Sequence, residues 1–181
     1  MGSVSTEVVQ HLEPLVGLRL SVARRAADLR NFQFGRMRDV EGGTVGDYAL
    51  HIQCPWRIEG PNGILTGRSD LWRPSQPRDT IDPEKWKYDD GNLQDLRMRA
   101  FLGGFDPKTM SEANHGSLLV VERVHGDDYG GACLELSGGY RLVLFPAGTQ
   151  GEDWRVFRPW TDEPHFVIRG GKVKAGSSGA A

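Results

Sequence analysis

Between residues 47 and 59 apolar and polar side chains alternate without a break. Tyr48, Leu50, Ile52, Cys54, Trp56 and Ile58 occupy the even positions; Asp47, Ala49, His51, Gln53, Pro55, Arg57 and Glu59 occupy the odd ones. Successive side chains of a strand point to opposite faces, so the run reads as one long strand with an apolar face and a mostly polar face. Pro55 has no N–H to give to a ladder and marks an edge or a bulge within it. Gly60-Pro61-Asn62-Gly63 then forms a turn, and residues 64–72 read as the returning strand of a hairpin.

Shorter strands are expected in the last third, at 118–125, 132–136, 140–145, 154–157 and 166–169. They are separated by His125-Gly126-Asp127-Asp128, Ser137-Gly138-Gly139 and Pro146-Ala147-Gly148. That spacing is the spacing of an antiparallel meander. Near the N-terminus, residues 18–22 alternate as a half-buried strand and 28–34 is extended, closed by the loop Glu41-Gly42-Gly43. The 24 glycines and 10 prolines lie in short clusters, as many strands with tight connections require.

Helices are fewer. Ser5 or Thr6 is expected to cap a short one with Val8, Val9 and Leu12 on one face, ended near Glu13 by Pro14. Leu93, Leu96, Ala100 and Phe101 form an amphipathic stripe that Gly103-Gly104 terminates. Asp82-Pro83-Glu84 has the residues of a helix start.

The net charge of −2 provides no field to attract nucleic acid or an anionic membrane, and the arginines are spread along the chain rather than clustered. No apolar run approaches the ~20 residues of a membrane span, and no secretory segment opens the sequence. Cys54 and Cys133 are therefore expected to be reduced thiols of a cytoplasmic protein. The sequence contains no G-x-S-x-G elbow, no G-x-G-x-x-G turn and no phosphate-binding loop.

Three groups of residues invite a functional reading. His51-x-x-Cys54 has the residue types of a metal site, but residues three apart on a strand face opposite ways, so no metal is expected there. His125, Asp127 and Asp128, with Tyr129 in one glycine-rich loop, have the groups for acid–base chemistry; the same spacing also suits a solvated hairpin loop. Among five tryptophans, Trp56 belongs to an apolar strand face, whereas Trp160 lies in the loop-like stretch Arg158-Pro159-Trp160-Thr161-Asp162-Glu163-Pro164-His165 and is a candidate interface anchor.

The segments Ala26-Ala27-Asp28-Leu29, Phe32-Gln33-Phe34-Gly35, Ala49-Leu50-His51-Ile52-Gln53-Cys54-Pro55-Trp56-Arg57-Ile58 and Gly139-Tyr140-Arg141-Leu142-Val143-Leu144-Phe145-Pro146 carry a resemblance, joined by Trp154-Arg155-Val156-Phe157 and Glu163-Pro164-His165-Phe166-Val167. On these the chain resembles a family of small uncharacterised actinobacterial proteins, a resemblance that assigns no site. The C-terminal stretch is also similar to β-rich immunity proteins of bacterial toxin systems, which implies a protein partner.

The expected fold is thus α+β over residues 1–174: a curved antiparallel sheet, or two packed sheets, with one or two helices. Residues 175–181 form a flexible tail. The expected function is a binding protein of immunity or accessory type acting through a protein surface. The rival is a small enzyme or small-molecule-binding β-barrel whose polar pocket is lined by His51, Gln53 and Arg57. Neither reading calls for a cofactor, a nucleic acid or a membrane.

Overall fold

The computed structural model describes residues 2–115 and 118–174. The expected tail at 175–181 lies outside the described residues. Helix α1 (Val4–Leu12) leads into strands β1 (Leu20–Ala26), β2 (Leu29–Phe34), β3 (Arg38–Val40), β4 (Gly43–Val45), β5 (Tyr48–Ile52), β6 (Trp56–Gly60) and β7 (Gly63–Gly67). After several 3-10 turns come helix α2 (Leu93–Leu102) and strands β8 (Phe105–Asp106) and β9 (Ser111–Ala113). The chain ends with β10 (Val121–Gly126), β11 (Ala132–Leu136), β12 (Tyr140–Leu144), β13 (Glu152–Phe157), β14 (Phe166–Arg169) and β15 (Lys172–Val173).

These strands form an eight-stranded sheet in the order β15-β14-β13-β5-β2-β1-β9-β8, a five-stranded sheet in the order β10-β11-β12-β6-β7, and the small β3-β4 ribbon. Neighbouring strands run antiparallel, and one hydrophobic core joins residues of both larger sheets. The chain is therefore an α+β fold with a mainly sheet core.

The long alternating run is not one strand. It is β5 in the larger sheet and β6 in the smaller one, with a corner at Gln53-Cys54-Pro55. The amides of Gln53 and Cys54 both donate to the carbonyl of Asp153, at 2.8 and 2.9 Å, and the Pro55 carbonyl accepts from Phe145 at 2.9 Å. Pro55 sits where the ladder changes partners, so its missing N–H costs nothing. The alternation passes through the corner intact. Leu50, Ile52, Cys54, Trp56 and Ile58 are all buried in the shared core. Phe32 of β2 meets the Trp56 ring edge-on at 5.5 Å and ties one sheet to the other.

The hairpin at Pro61-Asn62 forms as expected, with Gly60 opposite Gly63. Its return strand is shorter than expected, because residues Arg68–Trp72 wind into a 3-10 turn in which Thr66 donates to the Asp70 carboxylate. The meander β10-β11-β12 pairs in sequence, whereas β13, β14 and β15 join the other sheet beside β5.

The helices depart from expectation in detail. The cap of α1 is Ser3, whose Oγ accepts from the Thr6 amide at 3.2 Å, and Val8 and Leu12 are buried. In α2 the buried positions are Gln94, Met98 and Leu102, while Leu96 and Ala100 are exposed. The expected stripe is displaced because the Gln94 amide is drawn inward: it donates to the carbonyls of Gly67 and Arg68 and accepts from Arg30. Gly103 ends the helix at φ 77°, a left-handed geometry suited to glycine. Asp82-Pro83-Glu84 begins only a single turn. Asp82 accepts from the amides of Glu84, Lys85 and Trp86, and the next regular element is the 3-10 turn Tyr88–Asp90.

Among the described residues no helix is long and apolar enough to cross a membrane.

Candidate functional site

The sheet corner separates the three residues expected to share a pocket. His51 on β5 stands between Asn31 of β2 and Arg155 of β13 on the outer face of the larger sheet. Its ring packs edge-on against Phe157 at 4.9 Å, and Phe157 is stacked on its other contact by His165 at 4.0 Å. Burial, then the charge of Arg155, pushes the His51 pKa down to about 4, so the ring is neutral at neutral pH. Arg155 holds Glu152 through two 2.6 Å bonds and also reaches Nδ1 of His165 at 3.2 Å.

Gln53, at the corner, donates to Glu152 at 3.4 Å. Arg57, on the smaller sheet, pairs with Glu59 at 2.6 Å and lies over Phe145 at 4.5 Å, while Arg141 takes the other oxygen of Glu59. None of the clefts described below is lined by His51, Gln53 or Arg57. Each of the three is engaged by its own strand neighbours, and nothing brings them together. Cys54 faces the core, where burial pushes its thiol up to about 12, so it is an inert side chain at neutral pH. Both cysteines are free.

The loop at 125–131 has a structural role. Oδ1 of Asp127 accepts from the amides of Tyr129 and Gly131, each at 2.8 Å, and closes the turn on itself. Asp128 accepts from the Ser5 amide in the first turn of α1, where a carboxylate favours the helix dipole. Ser5 in turn donates to the Gly126 carbonyl, and Trp154 donates to that of Gly130 at 2.7 Å. His125 pairs with Glu135 across the β10-β11 ladder at 2.8 Å. The loop thus pins α1 and β13 to the smaller sheet. His125 and Asp127 border a dent of about 190 Å³, but Asp128 is engaged by α1 and Tyr129 is exposed, and neither lines it.

Trp160 is different. It is 40% exposed, and two guanidinium groups lie over its ring, Arg38 at 4.7 Å and Arg158 at 4.5 Å. Each arginine is fixed in turn, Arg38 by Asp47 at 2.6 Å and Arg158 by Glu163 at 3.1 Å. Arg158 also reaches the Tyr48 ring at 6.0 Å. Tyr48, Arg158 and Glu163 form one wall of a cleft of about 220 Å³, with His11, Phe157 and Pro164 around it. Trp160 does not itself line the cleft; Arg158, which lies over its ring, does, and so joins the part-exposed tryptophan to a small cleft with aromatic and proline walls.

A second polar cluster has no signature in the sequence. Arg30 lies on the inward face of β2 with no solvent exposure; it pairs with Asp95 of α2 at 2.8 Å and with Glu112 of β9 at 3.1 Å. Arg25 of β1 joins Asp95 at 3.1 Å and Asp89 at 2.9 Å. Burial by itself would raise the Asp95 carboxyl, but Arg30, Asn92 and Arg25 outweigh it and hold the group below its usual range. Glu112 goes the other way, because burial, with the charge of Asp95, outweighs Arg30 and Arg99. The cluster opens on a cleft of about 410 Å³ whose lining includes Arg99, Phe105 and Leu96. Three of its members come from positions 25, 30 and 112, and only the fold brings them to α2.

A wider cleft of about 670 Å³ runs beside β1 and β9, but Asp47, Asp106 and Arg19 in its wall are already hydrogen-bonded. Among the described residues no three His, Cys, Asp or Glu side chains are placed to hold a metal ion. Comparisons of the chain with protein-family models, with curated proteins and with solved structures returned no match.

Proposed function

We propose that this chain is a binding protein of immunity or accessory type, acting through the surface around Trp160. The observation that carries the reading is the setting of that ring: part-exposed, braced by Arg38 and Arg158 over it, and joined through Arg158 to the cleft beside Tyr48. Tryptophan, tyrosine and arginine dominate the binding energy of protein interfaces, most of all where a pocket beside them takes an anchor from the partner. Here the ordering cost of the ring is met before any partner arrives. The local charges close among themselves, as Arg38 with Asp47 and Arg158 with Glu163, so an incoming apolar side chain meets no unpaired ion. The partner expected is a protein that inserts one aromatic or branched aliphatic side chain into the cleft.

The test is photo-crosslinking in the native host from a benzophenone side chain placed at position 48, with position 64 on the far edge of the smaller sheet as control. One defined protein should be captured from position 48, lost on Trp160→Ala, and absent from position 64. Equal capture from both positions, or capture indifferent to Trp160→Ala, would remove this surface from consideration.

A further inference from the structure

The cleft beside Glu112 contains two groups whose bonding capacity the fold leaves unused. Glu112 is 6% exposed; its Oε2 takes Nη2 of Arg30, and among the described residues no side chain donates to Oε1. Arg99 lies over the Phe105 ring at 4.2 Å and forms no ion pair or hydrogen bond with a described side chain. The other charges nearby are consumed: Arg30 and Arg25 by Asp95, and Arg25 by Asp89 as well. Glu112 lines the cleft, and its carboxylate, bonded to one described side chain only, has room there for a ligand's donor.

We propose that this cleft binds a small zwitterion, a free α-amino acid with an apolar side chain, whose ammonium group donates to Glu112 and whose carboxylate meets Arg99. The charge balance selects this class. An anion alone would set a second negative charge beside Glu112, and an amine alone would leave Arg99 unmatched while adding a cation beside Arg30. Leu96, half exposed, and Phe105 supply apolar walls, and a volume of about 410 Å³ holds such a molecule together with water. The site is independent of the Trp160 surface.

Ammonium binding needs the ionised form of Glu112, which burial makes harder to reach. The charged groups acting on Glu112 are Arg30 from the sheet and Asp95 and Arg99 from α2, and Arg25 with its partner Asp89 lines the same cleft. Affinity should therefore fall on acidification at a pH above the ordinary glutamate range, as the proton displaces the ligand.

The experiment is calorimetric titration of the full chain with L-leucine, L-methionine and L-phenylalanine, beside 4-methylpentanoate and 3-methylbutylamine, which are leucine without its amino group and without its carboxylate. At least one amino acid should bind with a Kd of ~1 mM or tighter, and the matching deaminated or decarboxylated analogue should be at least about tenfold weaker. Arg99→Met, on an exposed position, should keep the parent's melting curve and weaken the amino acid by about tenfold or more. Glu112→Gln, which still offers Arg30 an oxygen but gives up the buried ion pair, should weaken the amino acid likewise and lower the melting temperature. Amide shifts at Leu96 and Glu112 on titrating the parent give a second readout that needs no variant. No binding of any of the three up to ~10 mM, analogues as tight as the amino acid, or an Arg99→Met variant with parental affinity would each overturn the proposal.

Discussion

The surface around Trp160 and the cleft beside Glu112 are built from the same residue types, arginine, carboxylate and aromatic ring, yet they leave opposite things unfinished. At Trp160 both Arg38 and Arg158 have their acids, and what remains is a part-exposed ring near a cleft that Arg158 lines. At Glu112 the aromatic and apolar groups form walls, and what remains is one cation and one carboxylate oxygen. Closed charges make a scaffold on which apolar contacts decide affinity, while open charges make a site for a charged ligand. The comparison also separates both regions from His51, Arg57 and the 125–131 loop, where charges and rings are satisfied within the fold.

The largest expected effects lie in the framework both regions share. Trp56→Ala should leave a cavity between the two sheets and cost about 3–5 kcal/mol in denaturant unfolding, enough to unfold a domain of ordinary stability. Because the Trp56 indole N–H is buried without a partner among the described residues, Trp56→Phe should cost much less. Arg57→Ala, by contrast, removes an exposed pair worth ~0–1 kcal/mol. If Arg57→Ala unfolds the chain and Trp56→Ala does not, the two faces have been exchanged.

Of similar size is Arg30→Met. It strips the guanidinium from Glu112 and leaves Asp95 with Arg25 alone, and breaking a buried pair in this way costs about 3–5 kcal/mol. A loss below about 1 kcal/mol in the same unfolding assay would show that the cluster is wetter than its burial implies, which would weaken the contrast with Trp160.

A smaller effect follows acidification. The folded pKa of His51 is about 4 against an ordinary 6.5, so between those values the unfolded chain takes up a proton that the folded chain refuses. Its contribution to stability is complete above about pH 6.5 and is lost as pH falls toward 4, on the order of 3 kcal/mol. His165, lowered by burial and by Arg155, adds to the same trend, whereas the raised Glu112 opposes it. Thermal melts at stepped pH should therefore show a shallower slope for His51→Phe than for the parent; parallel slopes would mean that His51 is solvated.

How much of this was legible in the sequence depends on the range of the interaction. Alternation is local, so the apolar strip from Leu50 to Ile58 was readable, as were the Pro61-Asn62 turn and the Gly103 stop. The division of that strip between two sheets was not, because β13 and β12 choose the partners and lie some hundred residues away. Nor was the buried face of α2: Gln94 is drawn inward by carbonyls at Gly67 and Arg68 and by Arg30, none of them nearby in sequence. Trp160 stood out because a tryptophan among loop residues is conspicuous by itself. Glu112 gave no signal, since a lone glutamate in a short strand looks solvent-facing until Arg30 appears beneath it.

The smallest expected stability changes belong to the two sites themselves, and they give the most direct test. Trp160→Ala removes two cation–π contacts and Arg99→Met one, so the first should cost about 1–2 kcal/mol and the second about 1 kcal/mol or less. The decisive measurement is to assay both variants for both ligands, the crosslinked protein partner and the amino acid. A crossed result is predicted: Trp160→Ala loses the partner and keeps the amino acid, while Arg99→Met keeps the partner and loses the amino acid. Loss of both ligands in one variant, or of neither in either, would contradict the division of the molecule into two separate binding regions.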